Sequence, residues 1–193
     1  MWATISEYVQ SNPVELIGFV FTVISIWLNT QQNVWGWAWG IIGIICYAYI
    51  SLKINLLGNF VLNIYFFAVS IYGWYWWKFG EKEAKKLPIS RCSPLEIGIL
   101  LVAVMLSAIF LAGLLYQYRN ISSIQYWDIE TTALSLAGQW LLARKKIENW
   151  LVWLVVNLQY VLIYFFHNLM ITSFLYVILT LLALKGWRDW GKE

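Results

Sequence analysis

Seven stretches of this chain stay apolar for fifteen residues or more: 14–28, 35–52, 56–77, 97–116, 129–143, 150–166 and 169–184. Crossing about 30 Å of hydrocarbon takes roughly 20 helical residues. Lipid offers open backbone groups no water, so each run is expected to be a membrane-spanning helix. Runs 14–28 and 129–143 are short for a span, and each carries a carboxylate near its start, Glu15 and Glu130. Composition points the same way. With 61% hydrophobic and 12% charged residues the chain cannot cover a soluble surface, which needs roughly 25% charge. Disorder, a basic nucleic-acid module and a disulfide scaffold are excluded by the same shortage. Cys46 lies in an apolar run and Cys92 in a polar loop, so neither a disulfide framework nor a metal cluster follows. Residues 1–12 contain Glu7 and no basic residue, unlike the start of a secretory signal, so the first run is expected to remain in the mature protein.

The basic residues orient the spans. With the N-terminus outside, the inner side receives Lys78, Lys82, Lys85, Lys86, Arg91, Arg144, Lys145, Lys146, Lys185, Arg188 and Lys192, and the outer side only Lys53 and Arg119. This positive-inside bias selects seven crossings, N-out and C-in, and supports the two short spans. Trp35, Trp77, Tyr126, Trp150 and Trp190 at the run ends suit interfacial belts.

Sliding the sequence by 113 residues superposes Trp27-Leu28 on Trp140-Leu141, Trp37 on Trp150, Tyr47 on Tyr160, Asn55-Leu56 on Asn168-Leu169, and Trp74 and Trp77 on Trp187 and Trp190. Apolar composition alone aligns many Leu and Ile but few residues as rare as Trp. Residues 14–77 and 128–190 are therefore expected to be two triple-helix repeats. The segment 78–127 between them supplies a cytosolic connector, expected to be a plain solvated loop, and a fourth helix that reverses the chain. The result is an all-α membrane protein with a parallel three-plus-one-plus-three arrangement, in which a substrate would sit between repeats near the midplane.

Trp150, Trp153, Asn157, Tyr160 and Tyr164 recur at spacings of three and four and share one face of the sixth helix. An amide inside a span faces protein or a water-filled cavity, and aromatic planes around it suit a neutral or cationic heterocycle. The same pattern also serves packing, with the amide bonded to a neighbouring helix. The equivalent face on the second helix is Trp37, Gly40, Ile44, Tyr47 and Ser51, which leaves room. The third helix offers Asn63, Phe67, Ser70 and Trp74, and the fifth adds Gln139, for which an interhelical bond is an equal alternative. Asn63 and Asn157 are the expected polar anchors. Catalytic groups are missing: there is no phosphate loop and no carboxylate deep in a span. His167, the one histidine, falls at a helix end, and Lys185 lies at the inner end of the last helix.

Asn33-Val34-Trp35-Gly36-Trp37 with Gly40-Ile41-Ile42, Ser70-Ile71-Tyr72-Gly73-Trp74-Tyr75-x-Trp77, and Gln139-Trp140-Leu141-Leu142-Ala143-Arg144-Lys145 before Trp150-x-x-Trp153 resemble the PnuC family of vitamin transporters, from about residue 15 to 190. The resemblance implies a seven-helix relative of the SWEET fold in the bacterial cytoplasmic (inner) membrane. It implies facilitated diffusion of nicotinamide riboside, or of thiamine in the PnuT branch, with trapping by a separate intracellular kinase. Trp150, Trp153, Asn157 and Tyr164 carry over as substrate contacts. The partners expected are the vitamin and the bilayer, with no cofactor, no metal, no nucleic acid and no enzymatic activity. A homo-oligomer is left open, and a membrane-embedded ligand sensor is the alternative function.

Overall fold

The computed structural model describes residues 13–53, 57–80, 87–116, 123–166 and 170–193. They form seven helices: α1 (Pro13–Thr30), α2 (Trp35–Lys53), α3 (Leu57–Phe79), α4 (Pro94–Tyr116), α5 (Ser123–Ala143), α6 (Asn149–Phe166) and α7 (Met170–Trp190). Each apolar run becomes one helix. The two short runs lengthen, to 18 residues in α1 and 21 in α5. Among the described residues the only extended pairing is an isolated bridge between Ser90 and Lys146.

Within the chain, α1, α2 and α3 pack successively, as do α5, α6 and α7; the two triads meet where α1 lies on α7 and α3 on α5. Helix α4 packs on α5 alone. Its start is a capping box: the Glu96 N–H donates to Ser93 Oγ (3.2 Å), the Ser93 N–H donates to Glu96 Oε2 (2.7 Å), and Pro94 takes the first helical position. Leu101, Met105 and Ile109 on α4 stay exposed, the pattern of a helix solvated by lipid. Segments Pro13–Thr30, Trp35–Lys53 and Pro94–Gly113 are long and apolar enough to cross a membrane by themselves, and Asn149–Ile163 is a shorter apolar helix. The remaining helices carry buried polar side chains: Ser70 on α3, Thr131, Ser135 and Gln139 on α5, Ser173 on α7.

Contacts recur at the 113-residue offset. Trp37 meets Trp77 edge-on with ring centroids 5.3 Å apart, and Trp150 meets Trp190 edge-on at the same 5.3 Å. Trp77 Nε1–H donates to the carbonyl of Ala143 at the end of α5 (3.2 Å), and Trp190 Nε1–H donates to the carbonyl of Thr30 at the end of α1 (3.2 Å). Each indole thus caps a helix of the other triad, answering a carbonyl that helix geometry leaves unpaired. The α1–α2 and α5–α6 turns share a cap as well. Asn33 N–H bonds Leu28 O while Gln32 N–H bonds Asn29 O, and Lys146 N–H bonds Leu141 O while Lys145 N–H bonds Leu142 O. That is the six-to-one and five-to-two pattern of a left-handed helix end, with Gln32 at φ 55° and Lys145 at φ 52°.

These caps and indoles close one end of the bundle. Lys145 Nζ donates to Gln32 Oε1 (2.9 Å) and to Leu87 O (2.8 Å), and stands 4.8 Å from the centre of the Trp77 ring. The described part of the connector departs from a plain solvated loop. Leu87 and Ile89 pack on the tryptophan core, Ser90 bonds the backbone at 145 and 147, and Lys146 pairs with Glu96 (3.0 Å). Alternating apolar residues at 87 and 89 give this stretch a side to bury. Of the residues assigned to topology or interfaces from sequence, Lys82, Lys85, Lys86, Arg119 and His167 lie outside the described residues.

Candidate functional site: a chamber between two helix triads

Beyond the tryptophan cluster the triads part around a cavity of about 660 Å³, lined by all helices except α4. Trp37 and Trp150, each 2% exposed, are the largest fully buried side chains of its lining. They can sit where they do because the residues behind them have no side chain: a Cβ at Gly73 would fall 2.6 Å from Trp37 Cζ2, and one at Gly186 2.4 Å from Trp150 Cε2. Both indole N–H groups are buried without an acceptor, and Asn29 Oδ1 is buried without a donor. Buried donors and acceptors are nearly always paired, so unanswered ones in a cavity wall suit a ligand's polar atoms.

Aromatic planes continue up the walls. Trp153 faces Phe66 with centroids 6.5 Å apart, and Tyr160 faces Tyr176 at 4.7 Å. Asn157, 4% exposed on α6, lies between these levels, and no side-chain hydrogen bond ties it to a described neighbour. Gln139 lines the cavity while its Nε2 donates to Ser70 Oγ (3.1 Å), so the interhelical bond and the cavity position hold together. Across the chamber, Gly40, Ile44, Tyr47 and Ser51 complete the wall from α2, with Ser51 Oγ turned back onto Tyr47 O (2.7 Å).

Of the residues expected from sequence, Asn63, Gln139, Trp150, Trp153, Asn157 and Tyr160 are brought together on this lining. The side chain of Tyr164 lies outside the described residues. Trp74 is a correction: it does not line the cavity and instead packs beside Trp35, ring centroids 6.1 Å apart. Eleven residues separate it from Asn63, about 16 Å along the helix axis, which carries it past the level where Trp37 rests on Gly73. Phe66 replaces Phe67, which is exposed. The contribution of α1 was not foreseen. Glu15, Thr22, Ser25 and Asn29 line the chamber, and their spacing of seven, three and four was a visible polar stripe.

Aromatic planes, amides and hydroxyls can stack on and hydrogen-bond a planar heterocycle with a polar substituent. No group of three or more His, Cys, Asp or Glu able to hold a metal occurs among the described residues. A chamber that mixes rings, amides and hydroxyls, walled in part by α1 and α2, each long and apolar enough to cross a membrane, fits a multi-pass membrane protein. Comparison with known proteins narrows the class. The sequence model of the nicotinamide mononucleotide transporter family matches residues 12–192, and the chain belongs to this family, that of PnuC.

Among relatives, the nicotinamide riboside transporter PnuC of Escherichia coli (strain K12) is 26% identical, the alignment covering 92% of this chain and 84% of the relative. The riboflavin/roseoflavin transporter RibM of Streptomyces davaonensis is also 26% identical, covering 91% and 83%. The crystal structure of the vitamin B3 transporter PnuC superposes with a TM-score of 0.75 at 19% identity, over 98% of this chain and 85% of that one. This likeness extends to the fold.

Proposed function

We propose that the chain carries nicotinamide riboside across a bacterial cytoplasmic membrane by facilitated diffusion, and that a separate kinase traps the cargo by phosphorylation inside the cell. In this reading residues 14–77 and 128–190 are like-oriented triple-helix units that rock against each other around the chamber. The N-terminus is outside and the C-terminus inside. The paired contacts at the 113-residue offset support the two units. The excess of Lys and Arg at the closed end supports its cytosolic side.

The observation that carries the substrate is the make-up of the chamber wall. Rings on Trp150, Trp153 and Tyr160 share the lining with the amides of Asn157, Asn63 and Gln139, and no Lys, Arg or His occurs among the described lining residues. Such a wall can hold an aromatic ring with its amide and ribose hydroxyls, but it offers no cation to pair with a phosphate. The riboside therefore fits better than the mononucleotide of the family's name. Riboflavin is the second reading, favoured by the match to RibM at the same identity as PnuC. Thiamine stands behind both.

The test is counterflow in proteoliposomes, which separates a carrier from a ligand-binding sensor because only a carrier exchanges external labelled for internal unlabelled vitamin. Asn157→Leu removes an anchor whose loss leaves a ligand group unpaired at a cost of about 1–3 kcal/mol, so riboside exchange should weaken roughly tenfold or more. Unchanged exchange in Asn157→Leu would reject the anchor. Exchange of riboflavin but not of the riboside would favour the second reading.

A further inference from the structure

A two-fold axis relating the two triads would run between residues that touch their own equivalents, since a residue beside such an axis meets its copy. Two contacts of this kind stand at the closed end, each at the 113-residue offset. Trp77 meets Trp190 with ring centroids 5.9 Å apart, and Lys145 Nζ donates to Gln32 Oε1 at 2.9 Å. The chamber lining is built of offset pairs as well, among them Trp37 with Trp150, Tyr47 with Tyr160 and Ser70 with Ala183. One line thus leads from the chamber between the two indoles and on, past the helix ends they cap, to the Gln32–Lys145 bond. We infer that this bond is the latch of the inner gate: it holds the chamber shut toward the cytosol, and cargo leaves when it parts. The inference rests on the proposed function, which supplies the two like-oriented units and the cytosolic side of the closed end.

The pair has the chemistry of a latch. Lys145 is 2% exposed. Of its partners, Gln32 and the Trp77 ring 4.8 Å away belong to the first triad, so parting the triads removes both from the ammonium. Gln32 is held in turn, because its Nε2 donates to Glu193 Oε2 just beyond α7. The two equivalent positions suit each other: two lysines would repel, whereas a cationic N–H on an amide oxygen is stronger than a bond between two neutral amides. Once the triads part, water can solvate the ammonium; while they are closed, only protein can. Replacing Gln32 by leucine therefore leaves the open state untouched and takes an acceptor from a buried cation in the closed one, the costly way to lose a hydrogen bond.

The test is labelling of an Ala183→Cys thiol in a Cys46→Ala, Cys92→Ala background, with a membrane-impermeant maleimide added to inside-out vesicles. Ala183 lies on the lining, packs in the tryptophan cluster and is 1% exposed, so the closed gate shields it. Gln32→Leu should label at least tenfold faster, a shift of about 1.4 kcal/mol toward the open gate. The reciprocal exchange, Gln32→Lys with Lys145→Gln, should bring the rate back to within about threefold of the background. It re-forms the same bond across the axis, with the ammonium on the side of Trp190 and Glu193. The bond of Lys145 to Leu87 O has no equivalent at the offset, so the exchange cannot restore it.

An unchanged rate in Gln32→Leu, or a fast rate that the exchange leaves fast, would overturn the latch. So would equal acceleration in right-side-out vesicles, since a loosened or unfolded protein exposes the thiol to both faces. Acceleration confined to right-side-out vesicles supports the latch and rejects the orientation in the proposed function. Absence of vitamin counterflow, with the labelling pattern intact, supports the latch and rejects the carrier.

Discussion

Adding one methyl group at Gly186 puts the seating of Trp150 to the test. The new Cβ would lie 2.4, 2.5 and 2.7 Å from Cε2, Cδ2 and Cε3 of the Trp150 indole. Carbon atoms rest at about 3.5–4.0 Å, so the ring has to retreat by about 1 Å. Trp190 blocks one direction, edge-on at 5.3 Å, and Trp150 is already 2% exposed. The remaining direction is the chamber that Trp150 lines. Overpacking of this kind costs about 1–3 kcal/mol. For a chain of this size about 2 kcal/mol lowers the melting temperature by about 4–8 °C.

Gly186→Ala should therefore melt several degrees lower in detergent and, because the ring enters the binding volume, bind the riboside at least tenfold more weakly. Gly73→Ala should show a comparable loss of stability through Trp37, where the corresponding contacts are 2.6, 2.7 and 2.9 Å. Gly98→Ala on α4 is the control, since nothing lies within 4 Å of its would-be Cβ; an unobstructed surface change stays within about 0.5 kcal/mol. A Gly186→Ala protein with native melting temperature and native affinity would refute the seating of Trp150.

Trp77→Phe and Trp190→Phe each remove an indole donor from a helix-end carbonyl, and each should lower stability by about 1–3 kcal/mol; the two costs should agree within about 1 kcal/mol, and a larger gap in thermal denaturation would break the equivalence of the two contacts. Burial, reinforced by the neighbouring Glu148 carboxylate, pushes the Cys92 thiol up to about 12. In a Cys46→Ala background Cys92 should thus react with a disulfide reagent at pH 8 at least a hundredfold more slowly in the native protein than after unfolding, because only the thiolate attacks; equal rates would show an unshifted thiol.

What the sequence made legible follows from which forces act locally. Lipid turns every long apolar run into a helix, so seven elements could be placed from residue type alone. The Trp matches at the 113-residue offset were visible because Trp is rare, and the face of α6 was visible because rings and an amide alternate at helical spacing. The polar face of α1 was as regular but quieter: Thr22, Ser25 and Asn29 lie in a run whose apolar neighbours dominate the pattern. Trp74 shares a helical face with Asn63, and a face says nothing about depth along the axis. Depth was decided by Gly73, whose missing side chain lets Trp37 close the chamber above it. The docking of residues 87–93 was hidden for another reason. Its partners at 145–148 are about sixty residues away, and backbone bonds between them leave no trace in residue type.

The left-handed caps at Gln32 and Lys145 show how the closed end is held. Glycine is favoured at such a position because a Cβ costs about 1 kcal/mol there, yet both positions carry long polar side chains, and those side chains bond each other across the seam between triads. Glycine would relieve the backbone and lose the link. Other described hydrogen bonds also cross the seam: Tyr65 to Leu136 O (2.8 Å), Arg144 to Tyr72 (2.9 Å), Lys185 to Thr30 (3.4 Å), and the two indole caps. Hydrogen bonds exchanged for water lose only about 0.5–1.5 kcal/mol each, whereas pulling apart the helices within a triad would expose apolar area at about 25 cal/mol per Å². The seam also buries rings, Tyr72 stacked on Trp140 at 5.4 Å and Phe66 beside Trp153 at 6.5 Å, so separation along it would expose apolar area as well as break these hydrogen bonds. It would open the chamber at the end where Trp77 and Trp190 now meet, at 5.9 Å between ring centres.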